Sequence, residues 1–306
     1  MKTIYLKTIG QRKLSKIDKE AKGCWIDIQN PSNDDILLIS HKFNLETDAI
    51  EDILDRNEIP KIEKLNKALL IILKVPSNEL KKEGLDNLSI LIDDENFISI
   101  SSATNPLINN VLGKFKDLHT TQRSKLVFFL LQEIANEYLQ SIETIRRKIE
   151  TLKKNIETIS DYRIMQLVKY EETLNNFNLA LQPTKYILNK IKTGKYISLY
   201  KNDEEILQDM YEDFNQAAEV CLLNLKSIVT LRDSYKILMD LNLNKTIKLL
   251  TSVTVILTIP TIITSMFGMN VDLPVASSIE GFYAILAIIS VSLVALVMLF
   301  IWKKWL

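Results

Sequence analysis

Five hydroxyl-bearing residues recur at helical spacing near the end of this 306-residue chain. They follow one another at intervals of three, four, three and four residues: Thr251, Thr254, Thr258, Thr261 and Ser265. On a helix of about 3.6 residues per turn this spacing forms one stripe, which Ile247 and Asn244 extend toward the N-terminus. Because hydroxyl oxygens are weak, exchangeable partners for a hydrated ion, the stripe predicts a water-exposed pore lining. The alternative is that each hydroxyl bonds to its own backbone or to a neighbouring helix.

The stripe lies within the first of two long uncharged runs. Residues 249–271 and 281–302 contain 23 and 22 residues without a charge, and the last 58 residues carry four charges, at Asp272, Glu280, Lys303 and Lys304. Since about 20 helical residues span the hydrocarbon core of a bilayer, we predict two transmembrane helices, with buried helices of a soluble protein as the alternative. One hairpin cannot enclose water, so a pore requires several copies of the chain around an axis.

Flanking charges predict how this hairpin is oriented. Lys245 and Lys248 precede the first run, Lys303 and Lys304 follow the second, and the short connection has no Lys or Arg. The positive-inside bias therefore places both chain ends in the cytoplasm of a multi-pass protein of the cell membrane. Trp302 lies where interfacial aromatic residues are expected.

The front of the chain has α/β character. Strand-like segments are predicted at 4–9, 24–29, 68–75, 88–92 and 97–100, with helices at 33–42 and 47–55. From Leu126 onward apolar residues recur at three and four, which predicts a long amphipathic helix. A second helix over 162–191, interrupted at Pro183, is expected to return antiparallel to the first.

The next stretch predicts one very long helix. No glycine occurs between Gly194 and Gly268, and no proline between Pro183 and Pro260. We therefore expect a helix from about Asp203 to Phe267 that links the cytoplasmic part to the membrane, or serves as a coiled-coil stalk with no signalling role. The predicted regions are 1–120 (α/β), 121–202 (antiparallel helices), 203–248 (stalk helix), 249–270 (first membrane helix), 271–280 (extracellular loop), 281–302 (second membrane helix) and 303–306 (basic tail).

Composition excludes several classes of protein. The 38 basic and 38 acidic residues give a net charge of zero with no basic block, which argues against nucleic-acid binding. Two His and two Cys leave little material for a zinc cluster or a Cys–His nucleophile, and no GxxxxGK[ST] motif occurs. The N-terminus has no apolar core typical of a signal peptide. We expect that the chain is not an enzyme.

The end of the first run reads Phe267-Gly268-Met269-Asn270, and here the chain resembles the CorA family of magnesium channels, whose signature is Gly-Met-Asn at that place. The ending Lys303-Lys304-Trp305-Leu306 is also similar to the family's. The resemblance implies an α+β membrane protein: a homopentameric funnel with an N-terminal cytoplasmic α/β/α domain and a long stalk helix continuous with the first of two C-terminal transmembrane helices. It implies passive uptake of hydrated Mg²⁺ driven by the membrane potential, with membrane lipid and other copies of the chain as partners.

The resemblance also implies roles for individual residues. Gly268, Met269 and Asn270 would form the selectivity filter, where amide oxygens accept hydrogen bonds from the waters that Mg²⁺ gives up reluctantly. Leu250 would match a hydrophobic constriction and Asn244 a polar ring below it. Regulatory Mg²⁺, which closes the channel, would bind between neighbouring cytoplasmic domains at acids matching three of this chain: Glu51, Asp52 and Asp209.

Some positions depart from the family pattern. Phe267 replaces the usual Tyr, and Pro260 lies one residue nearer Asn270 than in well-known members. The connection between the two runs lacks the usual Met-Pro-Glu, so that Asp272 or Glu280 would have to supply an acidic ring. Cobalt or nickel are further candidate ions. Two alternatives stay open: a zinc transporter of the same fold, against which Met269 argues, and a membrane-anchored sensor or scaffold with no pore.

Overall fold

The strands of the N-terminal half form one mixed sheet. The computed structural model describes residues 1–305 apart from 10, 12, 67, 78–83, 103–105, 115–117, 155–160, 201 and 271–277. Seven strands are arranged in the order β2-β1-β3-β7-β6-β5-β4. Their bounds are β1 Lys2–Leu6, β2 Ser15–Ile17, β3 Trp25–Gln29, β4 Lys61–Lys64, β5 Leu69–Pro76, β6 Leu85–Ile92 and β7 Phe97–Ser101. The central pair β3–β7 is parallel, and the other neighbouring pairs are antiparallel.

Two short helices cover one face of this sheet. Helix α1 (Asn33–Phe43) begins at a capping box made by Ser32 and Asp35, and α2 (Thr47–Leu54) follows it. Alternate strand residues turn toward this face and pack with apolar residues of the two helices. The resulting core comprises Ile26, Ile28, Leu70, Ile72, Ile98 and Ile100 from the strands with Ile39, Phe43 and Ile53 from the helices.

Long helices pack against the opposite face of the sheet. Helix α3 (Pro106–Gly113) precedes α4 (Arg123–Lys154), and α5 (Asp161–Lys192) follows. Tyr138 of α4 donates to the backbone carbonyl of Lys74 in β5 at 3.0 Å and meets the ring of Phe177 edge-on at 5.3 Å. Further along, Lys148 lies over the ring of Tyr170, so α4 and α5 run antiparallel as predicted. The result is the predicted α/β/α order.

The predicted interruption at Pro183 is wrong, because α5 continues through it. The proline removes the hydrogen bond that the Leu179 carbonyl would otherwise accept. The Leu179 side chain is exposed, so this carbonyl lies on the water-facing side of the helix, while the next residue, Thr184, is buried and donates to the Ala180 carbonyl at 2.8 Å. Packing on both sides of Pro183 therefore outweighs one missing backbone bond.

The predicted long helix is confirmed as α6, Asp203–Phe267, 65 residues that pass through Pro260 without a break. The chain divides into two compact units, Met1–Ile156 with Ser160–Thr230, and Leu231–Leu306, so α6 begins in the first and ends in the second. The last helix, α7, spans Ile279–Trp302. It begins two residues before the predicted membrane segment because Ser278 caps it, accepting a hydrogen bond from the Gly281 N–H at 3.1 Å.

Candidate ion pathway and metal sites

Both C-terminal helices are long and apolar enough to cross a membrane. In each, the most apolar 18-residue window is only 6% buried within the chain. Because the core helix of a soluble protein would be covered by its own chain, this exposure favours the membrane interpretation of the two runs.

The C-terminal part of α6 carries a groove along the predicted stripe from Thr254 to Ser265, whereas Thr251 is not among the lining residues. The groove has a volume of about 800 Å³ and is lined by residues of α6 and by Met269, just beyond the end of the helix. Among its lining residues are five of the seven predicted pore positions, namely Leu250, Thr254, Thr258, Thr261 and Ser265. Asn244 and Ile247 lie closer to the N-terminus on the same helix, outside the groove, and both are exposed. That this face lines a pore stays a prediction.

The threonine hydroxyls of the groove bond to their own helix and are also exposed, so backbone bonding and a pore lining do not exclude each other. Thr254 donates to the Leu250 carbonyl at 2.9 Å, Thr258 to the Thr254 carbonyl at 2.7 Å, and Thr261 to the Leu257 carbonyl at 2.7 Å. Each bond uses the hydroxyl proton and leaves oxygen lone pairs free to accept. The exposed stripe therefore offers acceptors, which suit the outward-pointing protons of water bound to a cation.

Sequence reasoning missed the apolar rims of this groove. Val253, Leu257, Ile262 and Met266 line it beside the hydroxyls, and Met269 lines its end. Leu257 and Ile262 lie three or four residues from stripe positions, and Val253 and Met266 lie four residues from these two, so the same helical spacing could have identified the rims.

The Gly-Met-Asn segment follows directly on the end of α6. The Gly268 N–H is shared between the carbonyls of Thr264, at 2.9 Å, and Ser265, at 3.3 Å. A side chain at Gly268 would place its Cβ 3.3 Å from the Thr264 carbonyl oxygen, closer than an ordinary contact, so glycine suits this tight ending. Met269 and Asn270 are exposed. The expected acid at Asp272 lies outside the described residues.

The three predicted regulatory acids do not meet within one chain. Glu51 and Asp52 lie on α2, and Asp209 lies exposed in the first turns of α6. Among the residues that the structure describes, no three His, Cys, Asp or Glu side chains are grouped so as to hold a metal ion. Asp52 is instead paired with the Lys61 ammonium, a contact that the sequence did not predict.

A buried carboxyl lies in the sheet. Asp27 of β3 is 2% exposed and accepts hydrogen bonds from Ser99 at 2.6 Å and Gln29 at 2.8 Å. The Trp25 indole donates to the same Ser99 hydroxyl at 2.8 Å. Burial raises the pKa of Asp27 above its ordinary value, although both hydrogen bonds lower it. We assign this network to the stability of the sheet.

The chain is similar over nearly its whole length to known transport proteins. It is 26% identical, over 97% of its length and 96% of the relative's, to the cobalt/magnesium transport protein CorA of Methanocaldococcus jannaschii. It is 23% identical to the magnesium transport protein CorA of Campylobacter jejuni, over 92% of this chain and 91% of the other. The complete structure of the M. jannaschii CorA magnesium transporter superposes with a TM-score of 0.84 at 23% identity, covering 100% of this chain and 99% of that one.

A more distant structure shares the fold of the front portion. The cytoplasmic domain of ZntB from Vibrio parahaemolyticus superposes with a TM-score of 0.63 at 12% identity, covering 78% of this chain and 97% of that one. The family model for CorA-like Mg²⁺ transporter proteins matches residues 20–304. The chain therefore belongs to the CorA-like Mg²⁺ transporter family.

Proposed function

We propose that this chain is a magnesium uptake channel of the cell membrane that also carries cobalt. The observation that carries the proposal is the exposed, acceptor-rich groove of α6, which leads to the Gly-Met-Asn segment at the helix end. The names of the relatives, which include magnesium and cobalt transport, support it. Both termini lie in the cytoplasm, and five copies assemble so that their α6 grooves surround one central pathway.

The ion passes without losing its inner waters. Asn270 oxygens accept hydrogen bonds from the hydrated ion, and the threonine oxygens below receive it in turn, because their own protons are held by backbone carbonyls. An anion would need donors, which these threonines do not offer. The membrane potential drives inward movement, since a divalent ion gains about 4.6 kcal/mol per 100 mV, twice the single-charge value. Leu250, 67% exposed in the single chain, forms a constriction that closes by dewetting.

Flux of Mg²⁺ into proteoliposomes tests the filter. We expect Asn270→Ala to remove most of the flux of the wild type and Asn270→Asp to slow it, because a ring of carboxylates holds the ion too tightly. Asn242→Ala is the matched control, since Asn242 is an exposed asparagine on the opposite side of the same helix from Asn244. Unchanged flux in Asn270→Ala would refute the filter assignment. Absence of Mg²⁺ flux in the wild type would favour the anchored sensor, or a zinc transporter if Zn²⁺ flux is present.

Closure is regulated by Mg²⁺ bound between neighbouring copies, at Glu51 and Asp52 of one and Asp209 of the next. The separation of these acids within one chain and the exposure of Glu51 and Asp209 support a shared site. Bound ion neutralises the facing acids, and its loss lets them repel. We expect Mg²⁺ to slow proteolysis of the cytoplasmic part, and Asp52→Ala with Asp209→Ala to abolish that protection. Glu150→Ala, at an exposed acid of α4, should retain it.

A further inference from the structure

A lysine of the sheet edge is held by two carboxylates beside the proposed regulatory site. Lys61, the first residue of β4, donates to Asp52 of α2, and its ammonium lies 3.0 Å from a Glu58 carboxylate oxygen. The three side chains are partly covered, at 30%, 29% and 23% exposed for Lys61, Asp52 and Glu58. Burial lowers the pKa of Lys61, but its bonds to both carboxylates outweigh that effect and raise it. The Asp52 carboxylate is thus already paired with a cation of its own chain, the Lys61 ammonium.

The loop that carries Glu58 is anchored from the sheet. Lys74, 8% exposed, donates to the Arg56 carbonyl, and Asn87, 1% exposed, donates to the Asp55 carbonyl. The Glu58 N–H then bonds to the Asp55 carbonyl at 3.2 Å. Because these backbone groups are held by buried donors, the backbone at Glu58 keeps its place near Lys61 when Asp52 is released.

We propose that Lys61 competes with the divalent ion for Asp52 and thereby sets the Mg²⁺ concentration at which the channel closes. This inference rests on the regulatory site proposed above. Without the ion, Lys61 bridges Asp52 and Glu58. When the ion arrives, the Lys61 ammonium gives up Asp52 and remains on Glu58, so that its charge is still compensated.

Removing the charge of Lys61 and removing the charge of Glu58 should therefore shift the Mg²⁺ concentration in opposite directions. Lys61→Met frees Asp52, and the Mg²⁺ concentration for half-maximal protection against protease should fall about two- to fivefold, the range expected for a partly exposed ion pair. Glu58→Gln leaves Asp52 as the only carboxylate partner of Lys61 in this cluster, so Lys61 competes more strongly with the ion. The Mg²⁺ concentration for half-maximal protection should then rise by a similar factor. Lys61→Arg keeps the charge and should lie near the wild type.

A double-mutant cycle separates competition from a general change of charge. If Glu58 acts through Lys61, Glu58→Gln should have little effect in the Lys61→Met background. Equal shifts in both backgrounds would mean that each charge acts on the ion independently, and would overturn the proposal. Lys42→Met is the matched control, because Lys42 pairs with Glu20 at 30% and 41% exposed, and it should leave the concentration unchanged.

The titration uses the full-length protein in detergent micelles, with Mg²⁺ varied and proteolysis followed by electrophoresis. Protection of Lys61→Met at the wild-type concentration, or only at a higher one, overturns the competition while leaving the regulatory site intact. A wild type that Mg²⁺ fails to protect at any concentration overturns the regulatory site and this inference with it. Lys61→Gln provides a second variant, which should shift in the same direction as Lys61→Met.

Discussion

Thr258 lies midway along the groove of α6, where replacing one oxygen tests the proposed pathway. Its hydroxyl donates to the Thr254 carbonyl at 2.7 Å, so the group that it can offer an approaching ion is its acceptor oxygen. Valine has nearly the same shape as threonine and a similar helix propensity, so Thr258→Val removes that oxygen and leaves the helix in place. The Thr254 carbonyl keeps its backbone partner.

The size of the effect follows from the hydrogen bond that the variant cannot make. A net hydrogen bond is worth about 0.5–1.5 kcal/mol, and about 1.4 kcal/mol corresponds to a factor of ten in rate. Removing one hydrogen bond from the ion's water shell at the rate-limiting position should therefore lower Mg²⁺ flux about two- to tenfold. Every copy around the pathway carries the change. If the hydrated ion touches several copies at once, the decrease in Mg²⁺ flux should lie at the upper end of this range.

The assay measures the initial rate of Mg²⁺ entry into proteoliposomes that contain a Mg²⁺-sensitive dye and carry a fixed inside-negative potential. Thr264→Val is the matched control, because Thr264 bonds to the carbonyls of Pro260 at 3.1 Å and Thr261 at 3.0 Å but does not line the groove. Ser290→Ala, in α7, is a second control, since Ser290 donates to the Leu286 carbonyl at 2.8 Å. Wild-type flux in Thr258→Val, or an equal decrease in Thr264→Val, would refute the assignment of the stripe to the pathway.

Two further predictions concern the stability of the N-terminal part of the chain, measured by thermal unfolding with Trp25 as the fluorescent probe in a Trp302→Phe, Trp305→Phe background. Burial raises the native pKa of Asp27, so the folded state holds this proton more tightly than the unfolded chain, and ionisation lowers stability increasingly as pH rises above about 4, the usual aspartate value. The change in melting temperature caused by Asp27→Asn should therefore become more favourable as pH rises, and a change independent of pH would contradict this. Pro183→Ala restores the backbone donor missing from α5 and should raise the melting temperature by several degrees, corresponding to about 1 kcal/mol or more; an unchanged or lower value would mean that the helix is adapted to the proline.

Long elements with a clear period could be predicted from the sequence, and short edge elements could not. The helix α6 follows from an unbroken run without glycine and with one late proline, and α4 from its apolar spacing. Strands β2 and β4, with the sequences Ser-Lys-Ile and Lys-Ile-Glu-Lys, are too short and too polar to show an alternating pattern. They become strands because β1 and β5 present free edges for pairing.

The same limit applies to the sites. Helical spacing predicted which α6 residues share a face, because that relation is local. It could not predict the Asp52–Lys61 pair, which joins a helix to a strand through a loop held by Lys74 and Asn87 from β5 and β6. The parallel pairing of β3 with β7 also joins segments far apart in sequence, so no local pattern encodes it.

The part of α6 that precedes the groove indicates what must cover this helix. Residues 236–250 are all at least partly exposed, including Ile237, Leu241 and Ile247, which are 60%, 51% and 51% exposed. With Asn244 these three follow one another at four, three and three, and they continue the groove face from Leu250 toward the N-terminus. Charged residues interrupt this stretch at 236, 240, 245 and 248, so lipid alone is a poor cover for it. Burial of this periodic face by the same face of other copies covers its apolar residues, which supports the proposed assembly of several copies independently of the Gly-Met-Asn segment.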